Sequence, residues 1–229
     1  MNRLPVKPII YFISTGDADE GNFALKKQEI VNKVRVAAEL GVSLIQIREK
    51  KLTARSLFDL TKSVVDCTKS FNSKILVNGR ADIALAAGAD GVHLPADGLS
   101  PETIRRSFPV GFVIGVSSHT YSEAYHAKLN SADFVTFGPI FESPGKGRPQ
   151  GIAMLKNVCK LLDPFPVFAL GGIDELNYPS VLENGAAGIA AIRLLNDEDK
   201  LRKLFLESRM IDAASADFWK AANSMNFYE

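Results

Sequence analysis

The segments ELGVSLIQI, AAGADGVHL, LNSADFVTF and ENGAAGIAA repeat one phrase: a helix end, a turn of small residues, then a buried strand. In three of them glycine suits the left-handed residue that closes a helix, and in LNSADFVTF Asn130 is expected to do the same. A phrase that recurs in this way describes a chain assembled from β-α units. The strand candidates are 9–14, 43–48, 74–78, 91–94, 112–115, 134–137, 167–170 and 188–192, each 4–6 residues long and rich in Val, Ile, Leu or Phe. Helical periodicity fills the gaps at 24–40, 53–71, 80–87, 100–107, 121–129, 152–162, 176–184 and from 197 onward. Thr53 and Ser100 read as helix N-caps, the second followed by Pro101 at the first helical position. Strands alternating with helices pair in parallel through right-handed crossovers, and eight such units close into a barrel. The expected fold class is therefore α/β, a single (β/α)8 TIM barrel. An open doubly wound sheet is the alternative, but neither GxGxxG nor GxxxxGK[ST] follows the first strand.

The length of 229 residues suits one such barrel, and no linker or low-complexity stretch divides it. A single domain over 1–229 is expected, with a barrel core at about 9–195 and a helical tail at about 197–229 that carries Trp219. Two segments, 15–22 and 142–150, read as mobile loops. A formal net charge of +1 with interspersed charges argues against nucleic acid or another polyanion as partner. No apolar run reaches the roughly 18 residues that span a membrane, and the first residues lack a signal-peptide core. A cytoplasmic location follows as an expectation. Cys67 and Cys159 form no CxxC pair and read as reduced thiols.

In a barrel, chemistry gathers at the C-terminal strand ends. The second strand, SLIQIREK, alternates so that Ile45 and Ile47 face one side while Gln46, Arg48 and Lys50 face the other. The isoleucines suit the helix-packed side, so the polar set points to the barrel interior and mouth. That arrangement is costly unless these groups meet an anion, either a ligand or an inward Asp or Glu. Asn78 ends the third strand. Ser117 and His119 follow the fifth, where an imidazole can take and return a proton, or simply cap a loop. His93 lies in an apolar strand and reads as core, and His126 as an exposed helix residue. Lys146 and Arg148 in the Gly-rich loop after the sixth strand read as a lid over an anion, the alternative being a plain surface loop. Gly171-Gly172 after the seventh strand and Ala191-Ile192-Arg193 at the eighth occupy the positions where barrels often hold a phosphate on backbone N–H groups. A small phosphorylated substrate is the expected partner.

The combination IQIREK, LVNGRADIALAAGADGVHLP, IGVSSHT, ADFVTFGPIFES, PVFALGGI and NGAAGIAAI resembles the thiamin phosphate synthase/TenI superfamily of small barrels, over about residues 9–195. That resemblance implies one of two chemistries. Synthases join a hydroxymethylpyrimidine diphosphate to a thiazole phosphate with Mg2+, releasing pyrophosphate. TenI-type tautomerases move a proton on a thiazole carboxylate phosphate. Gln46, Arg48, Lys50, Asn78, Ser117, His119 and Lys146 match positions shared by the superfamily. Where synthases have Asn-Asp, this chain has Asn78-Gly79. Where they have His-Leu-Gly-Gln-x-Asp, it has His93-Leu94-Pro95-Ala96-Asp97-Gly98. Both metal-binding carboxylate positions are thus lost, leaving Asp97 one residue early. The Thr-x-Thr-Lys lid is replaced by Ser143-Pro144-Gly145-Lys146, and Arg193 stands where a Ser is common.

On these departures the expected function is a metal-independent TenI-like tautomerase with no cofactor. His119 would shuttle the proton, Gly171, Gly172, Ala191, Ile192 and Arg193 would hold the phosphate, and Arg48 with Lys50 would meet the carboxylate. The alternative is a thiamin phosphate synthase using Mg2+ through Asp97, for which the complete Gln-x-Arg-x-Lys set speaks. A further alternative, of another class, is a non-catalytic protein that binds thiazole or thiamin phosphates. Barrels commonly pair, so a homodimer is left open.

Overall fold

A computed structural model describes residues 9–206. The strands are β1 (Ile9–Ile13), β2 (Leu44–Ile47), β3 (Lys74–Asn78), β4 (Gly91–Leu94), β5 (Val113–Ser118), β6 (Phe134–Phe137), β7 (Val167–Leu170) and β8 (Gly188–Ala191). They alternate with α1 (Phe23–Leu40), α2 (Ala54–Thr68), α3 (Ala81–Ala87), α4 (Pro101–Ser107), α5 (Tyr121–Leu129), α6 (Gly151–Leu162), α7 (Tyr178–Glu183) and α8 (Arg193–Asn196). Every strand pairs in parallel with the next, and β8 returns to β1, closing the eight-stranded barrel. All strand C-termini therefore open onto one mouth.

Strand alternation sorts the core into two layers. Tyr11, Ile13, Leu44, Leu76, Val113, Phe134, Phe168 and Ala190 fill the barrel interior. Phe12, Ile45, Ile47, Val77, Val92, Ile114, Val135 and Ile189 pack outward against helix residues such as Val34, Leu60 and Leu155. Burial of these faces dominates the stability of such a fold. The expected facing of β2 holds: Ile45 and Ile47 lie in the outer layer, so Gln46 is turned inward.

The caps are as expected at Thr53 and Ser100, whose hydroxyls accept from the N–H of Ser56 and Glu102, and Thr120 caps α5 in the same way. Gly41 and Gly88 take the left-handed closing conformation. One expectation is corrected: Asn130 has φ −90°, and the left-handed residue in that turn is Ser131, at φ 67°. The chain also turns helical sooner after β8 than 197, since α8 begins at Arg193. A further helix runs over 198–206, and the remainder of the expected tail, with Trp219, lies outside the described residues. No helix among the described residues is long and apolar enough to cross a membrane. Cys67 and Cys159 are both free thiols, and burial pushes the Cys159 thiol up to about 12.

Candidate functional site

Strand β2 ends at Ile47, and the chain then carries Arg48, Glu49 and Lys50 onto the mouth. Arg48 is half-buried and Lys50 exposed. The Arg48 guanidinium lies against the loop after β1: a Cβ on Gly16 would stand 3.0 Å from its Nη1. Gly16, with φ +80°, is therefore needed both for its backbone conformation and for that close approach.

Glu49, which the sequence reading passed over, organises this corner. It is 2% exposed, and its carboxylate accepts from Ser14 Oγ at 2.5 Å, Gly16 N at 3.0 Å and Ala18 N at 2.9 Å. Ser14 Oγ in turn accepts from Arg48 N at 2.8 Å. Glu20, farther along the same loop, accepts from Thr53 N and Ser56 Oγ at the start of α2. The 15–22 segment, expected to be mobile, is thus tethered at two points by charge-assisted hydrogen bonds. A carboxylate between two cations gave no local sign of this, because its partners lie more than thirty residues away.

Gln46 does not reach the mouth directly. It is 1% exposed, and its Nε2 donates to Tyr11 Oη at 2.7 Å. Tyr11 Oη lies 3.0 Å from His93 Nδ1, and His93 Nε2 lies 3.0 Å from Ser117 Oγ. Burial of the imidazole, and secondarily the Arg48 charge, pushes His93 down to about 3. His93 is core, as expected, but it belongs to a polar chain running up the barrel axis among the rings of Tyr11, Phe134 and Phe168. Gly115 makes room for it, since a Cβ there would strike both the Phe134 ring and His93.

Asn78, the last residue of β3, is half-buried beside His93 in the strand register. His119 stands exposed just past β5. Its Nδ1 lies 2.6 Å from the Gly138 carbonyl oxygen, and its backbone N donates to Glu123 Oε2 at 2.6 Å. The carbonyl can only accept, so Nδ1 carries a proton, and in the neutral ring Nε2 is left with the lone pair. The neutral ring is thereby held in one tautomer, with no hydrogen bond to Nε2 among the described residues. His126 is exposed, as expected.

After β6 the chain forms the Gly-rich loop. With Arg193 it walls a cleft of about 700 Å³, lined by Glu142, Ser143, Pro144, Lys146, Gly147, Arg148 and Pro149. That volume suits a small ligand. Lys146, Arg148 and Arg193 give it a cationic lining, and no ion pair among the described residues engages them, Arg48 or Lys50. The cleft lies on the β6–β8 side of the mouth; Arg48, Lys50 and His119 stand elsewhere on the same rim.

Gly171 and Gly172 sit where the root of this loop crosses β7. A Cβ on Gly171 would meet Pro139 at 2.6 Å, and one on Gly172 would meet Phe141 Cβ and the Glu142 carbonyl oxygen, both at 2.6 Å. Phe141 N donates to the Gly171 carbonyl at 3.0 Å. The glycine pair therefore seats the lid root as well as leaving backbone near the mouth. Ala191 faces the helix layer while Ile192 packs on the interior, so Ala191 could serve a ligand through its backbone alone. Asn196, another residue missed from sequence, ties the barrel seam by donating from Nδ2 to the Ile13 and Ile192 carbonyls, each at 2.8 Å.

The metal question turns on donors. Gly79 and Gly98 offer no side-chain oxygen, Asp97 is exposed in the loop after β4, and no group of three or more His, Cys, Asp or Glu among the described residues could hold an ion. Mg2+ favours one or two carboxylates with substrate phosphates in octahedral geometry. The side chains present do not fit a ready-made Mg2+ site, and positive charge at the rim comes from Arg and Lys.

Residues 10–195 match the family model described as thiamine monophosphate synthase (TMP-TENI). A Geobacter sulfurreducens protein named putative thiamine-phosphate synthase is 44% identical over 168 residues, covering 72% of this chain and 78% of the relative. Putative thiamine-phosphate synthase 2 of Aquifex aeolicus is 38% identical, covering 82% of this chain and 97% of the relative. Among solved structures, thiamine phosphate pyrophosphorylase from Pyrococcus furiosus superposes with a TM-score of 0.74 at 29% identity, covering 88% of this chain and 97% of that one.

Proposed function

This chain belongs to the thiamine monophosphate synthase (TMP-TENI) family of thiamin biosynthesis, and from that premise we propose that it catalyses the synthase reaction. A hydroxymethylpyrimidine diphosphate and a thiazole phosphate would enter the barrel mouth. The bond between the pyrimidine methylene carbon and the diphosphate oxygen breaks as a carbon–nitrogen bond to the thiazole forms, and pyrophosphate leaves. The sequence reading put a TenI-like tautomerase first; the names carried by the relatives support the synthase and reverse that order.

The observation that carries the proposal is the cationic rim on which the family match falls. Arg48 and Lys50 at the end of β2 would take the departing diphosphate, with Lys146 closing from the lid. Preorganised cations stabilise charge that develops on a leaving oxygen, and they act most strongly where water is excluded. Arg193 and Arg148, on the β6–β8 side, would take the thiazole phosphate. Arg48, Lys50 and Lys146 would carry the charge neutralisation at the leaving group, since the described side chains do not build a carboxylate-held Mg2+ site.

A second reading rests on two features of the site. Gly79 and Gly98 replace the carboxylates expected of a synthase, while His119 keeps Nε2 as a base at the rim. Those two facts suit proton transfer on a thiazole carboxylate phosphate. Purified protein given both synthase substrates, with and without Mg2+, separates the readings. Thiamin phosphate and pyrophosphate in equal amounts are the expected products. Absence of coupling, together with proton exchange into a thiazole carboxylate phosphate that His119→Asn slows by about 10²–10⁴-fold, would instead establish the tautomerase.

A further inference from the structure

The hydrogen-bond chain along the barrel axis has a direction, and that direction reaches the mouth. Gln46 Nε2 donates to Tyr11 Oη at 2.7 Å, so the tyrosine oxygen already serves as acceptor. Its own proton then goes to its other neighbour, His93 Nδ1, 3.0 Å away. An imidazole nitrogen that accepts from a hydroxyl has no proton, and a neutral ring must carry its proton on the other nitrogen. His93 Nε2–H therefore donates to Ser117 Oγ, 3.0 Å away. With its oxygen engaged by the imidazole, Ser117 is left with its hydroxyl proton to give.

Among the described residues no hydrogen bond takes that proton. Strand alternation turns Ser117 inward, at the C-terminal end of β5, where it is half-buried. Its neighbour in register is Thr136, which also points inward between Phe134 and the mouth. Thr136 is 1% exposed, and its Oγ1 has no hydrogen-bond partner. Buried polar atoms in folded proteins are nearly always paired, so an unpaired hydroxyl beside an undonated one marks a polar pair on the interior wall that the described residues leave unsatisfied.

We infer that His93, held by Tyr11 and Gln46, is a positioning residue that fixes Ser117 as a hydrogen-bond donor to an acceptor atom of the substrate, next to the unpaired hydroxyl of Thr136. It rests on the reading of the barrel mouth as the substrate site. The acceptor is a ring nitrogen or a phosphate oxygen, the two acceptor types that a phosphorylated heteroaromatic substrate carries. Tyr11 and His93 touch no substrate; they act through Ser117.

Nitrogen NMR of the protein labelled at histidine tests the first link without any assay. The His93 ring is expected as the Nε2–H tautomer, and in Tyr11→Phe as a mixture of both tautomers. A pure Nδ1–H ring in the unaltered protein overturns the inference, whatever reaction the enzyme catalyses. The second link is a double-mutant cycle read in kcat/KM, or in thiazole phosphate affinity should the synthase reaction fail. His93→Phe and Ser117→Ala are each expected to lose about tenfold, the size of one hydrogen bond. The double variant is expected to be no worse than Ser117→Ala alone. Losses that multiply to about a hundredfold would show that His93 does not act through Ser117. If His93→Phe fails to fold, Tyr11→Phe replaces it in the cycle, with a smaller loss because part of the ring keeps the Nε2–H tautomer, and again no added loss in the Ser117→Ala background.

Discussion

A neutral imidazole in the middle of a barrel ties stability to pH. His93 has a pKa lowered from 6.5 to about 3, chiefly by burial and then by Arg48. Between those values the unfolded chain binds a proton that the folded chain refuses. The stabilisation is therefore complete above about pH 6.5 and is lost as pH falls toward 3. At pH 4.5 this one residue costs about 2–3 kcal/mol relative to neutrality. Urea unfolding at pH 7 and pH 4.5 is expected to show a larger drop for the natural protein than for His93→Phe. Equal drops would mean that His93 is protonated in the folded state. Glu49 shows another use of burial: Ser14, Gly16 and Ala18 all donate to its carboxylate, which fixes the loop against which Arg48 lies.

At the scale of the element, the lid is governed by its root. Gly172 has φ +68°, and a Cβ there would stand 2.6 Å from Phe141 Cβ and from the Glu142 carbonyl oxygen, so it combines backbone strain with collision. Gly172→Ala is expected to destabilise by about 1–3 kcal/mol and to raise KM, because the cleft residues hang from this crossing. Gly147→Ala, where a Cβ would meet nothing within 4 Å, is the stability control and is expected to melt with the natural protein. A Gly172→Ala variant with unchanged melting and KM would detach the lid from β7. Strands and helices were legible because their apolar periodicity is local: β3, β4, β6 and β7 keep their expected bounds. Strand β5 ran three residues past expectation because Ser117 and Ser118 continue the ladder without apolar side chains to announce it. Helix α7 starts two residues late because Asp174 Oδ1 accepts from Leu176 N and Asn177 N, holding those residues in a turn.

For the whole molecule, closure of the parallel barrel brings residues from distant parts of the chain to one rim. That is why rim membership of Arg48, Lys50, Asn78, His119, Lys146 and Arg193 could be read from strand order alone. Their partners could not. Gln46 with Tyr11, Tyr11 with His93, and Glu49 with the loop after β1 are pairings between strands, set by register and by which ring fills which gap. The choice between the two family chemistries was not legible either, because the synthase-like cations of β2 and the missing carboxylates at Gly79 and Gly98 point in different directions.

The central claim is that phosphorylated ligands are held at the C-terminal mouth, the diphosphate by β2 and Lys146 and the thiazole phosphate by the lid and the turn after β8. Amide NMR of the protein titrated with a thiazole phosphate tests it most directly, with glycines as fixed reporters at both ends of the barrel. Saturable shifts are expected at Gly147, Gly171, Gly172 and Ile192, with Gly41, Gly88 and Gly185 at the opposite end unmoved. Shifts confined to that opposite end, or no binding at all, would contradict the account.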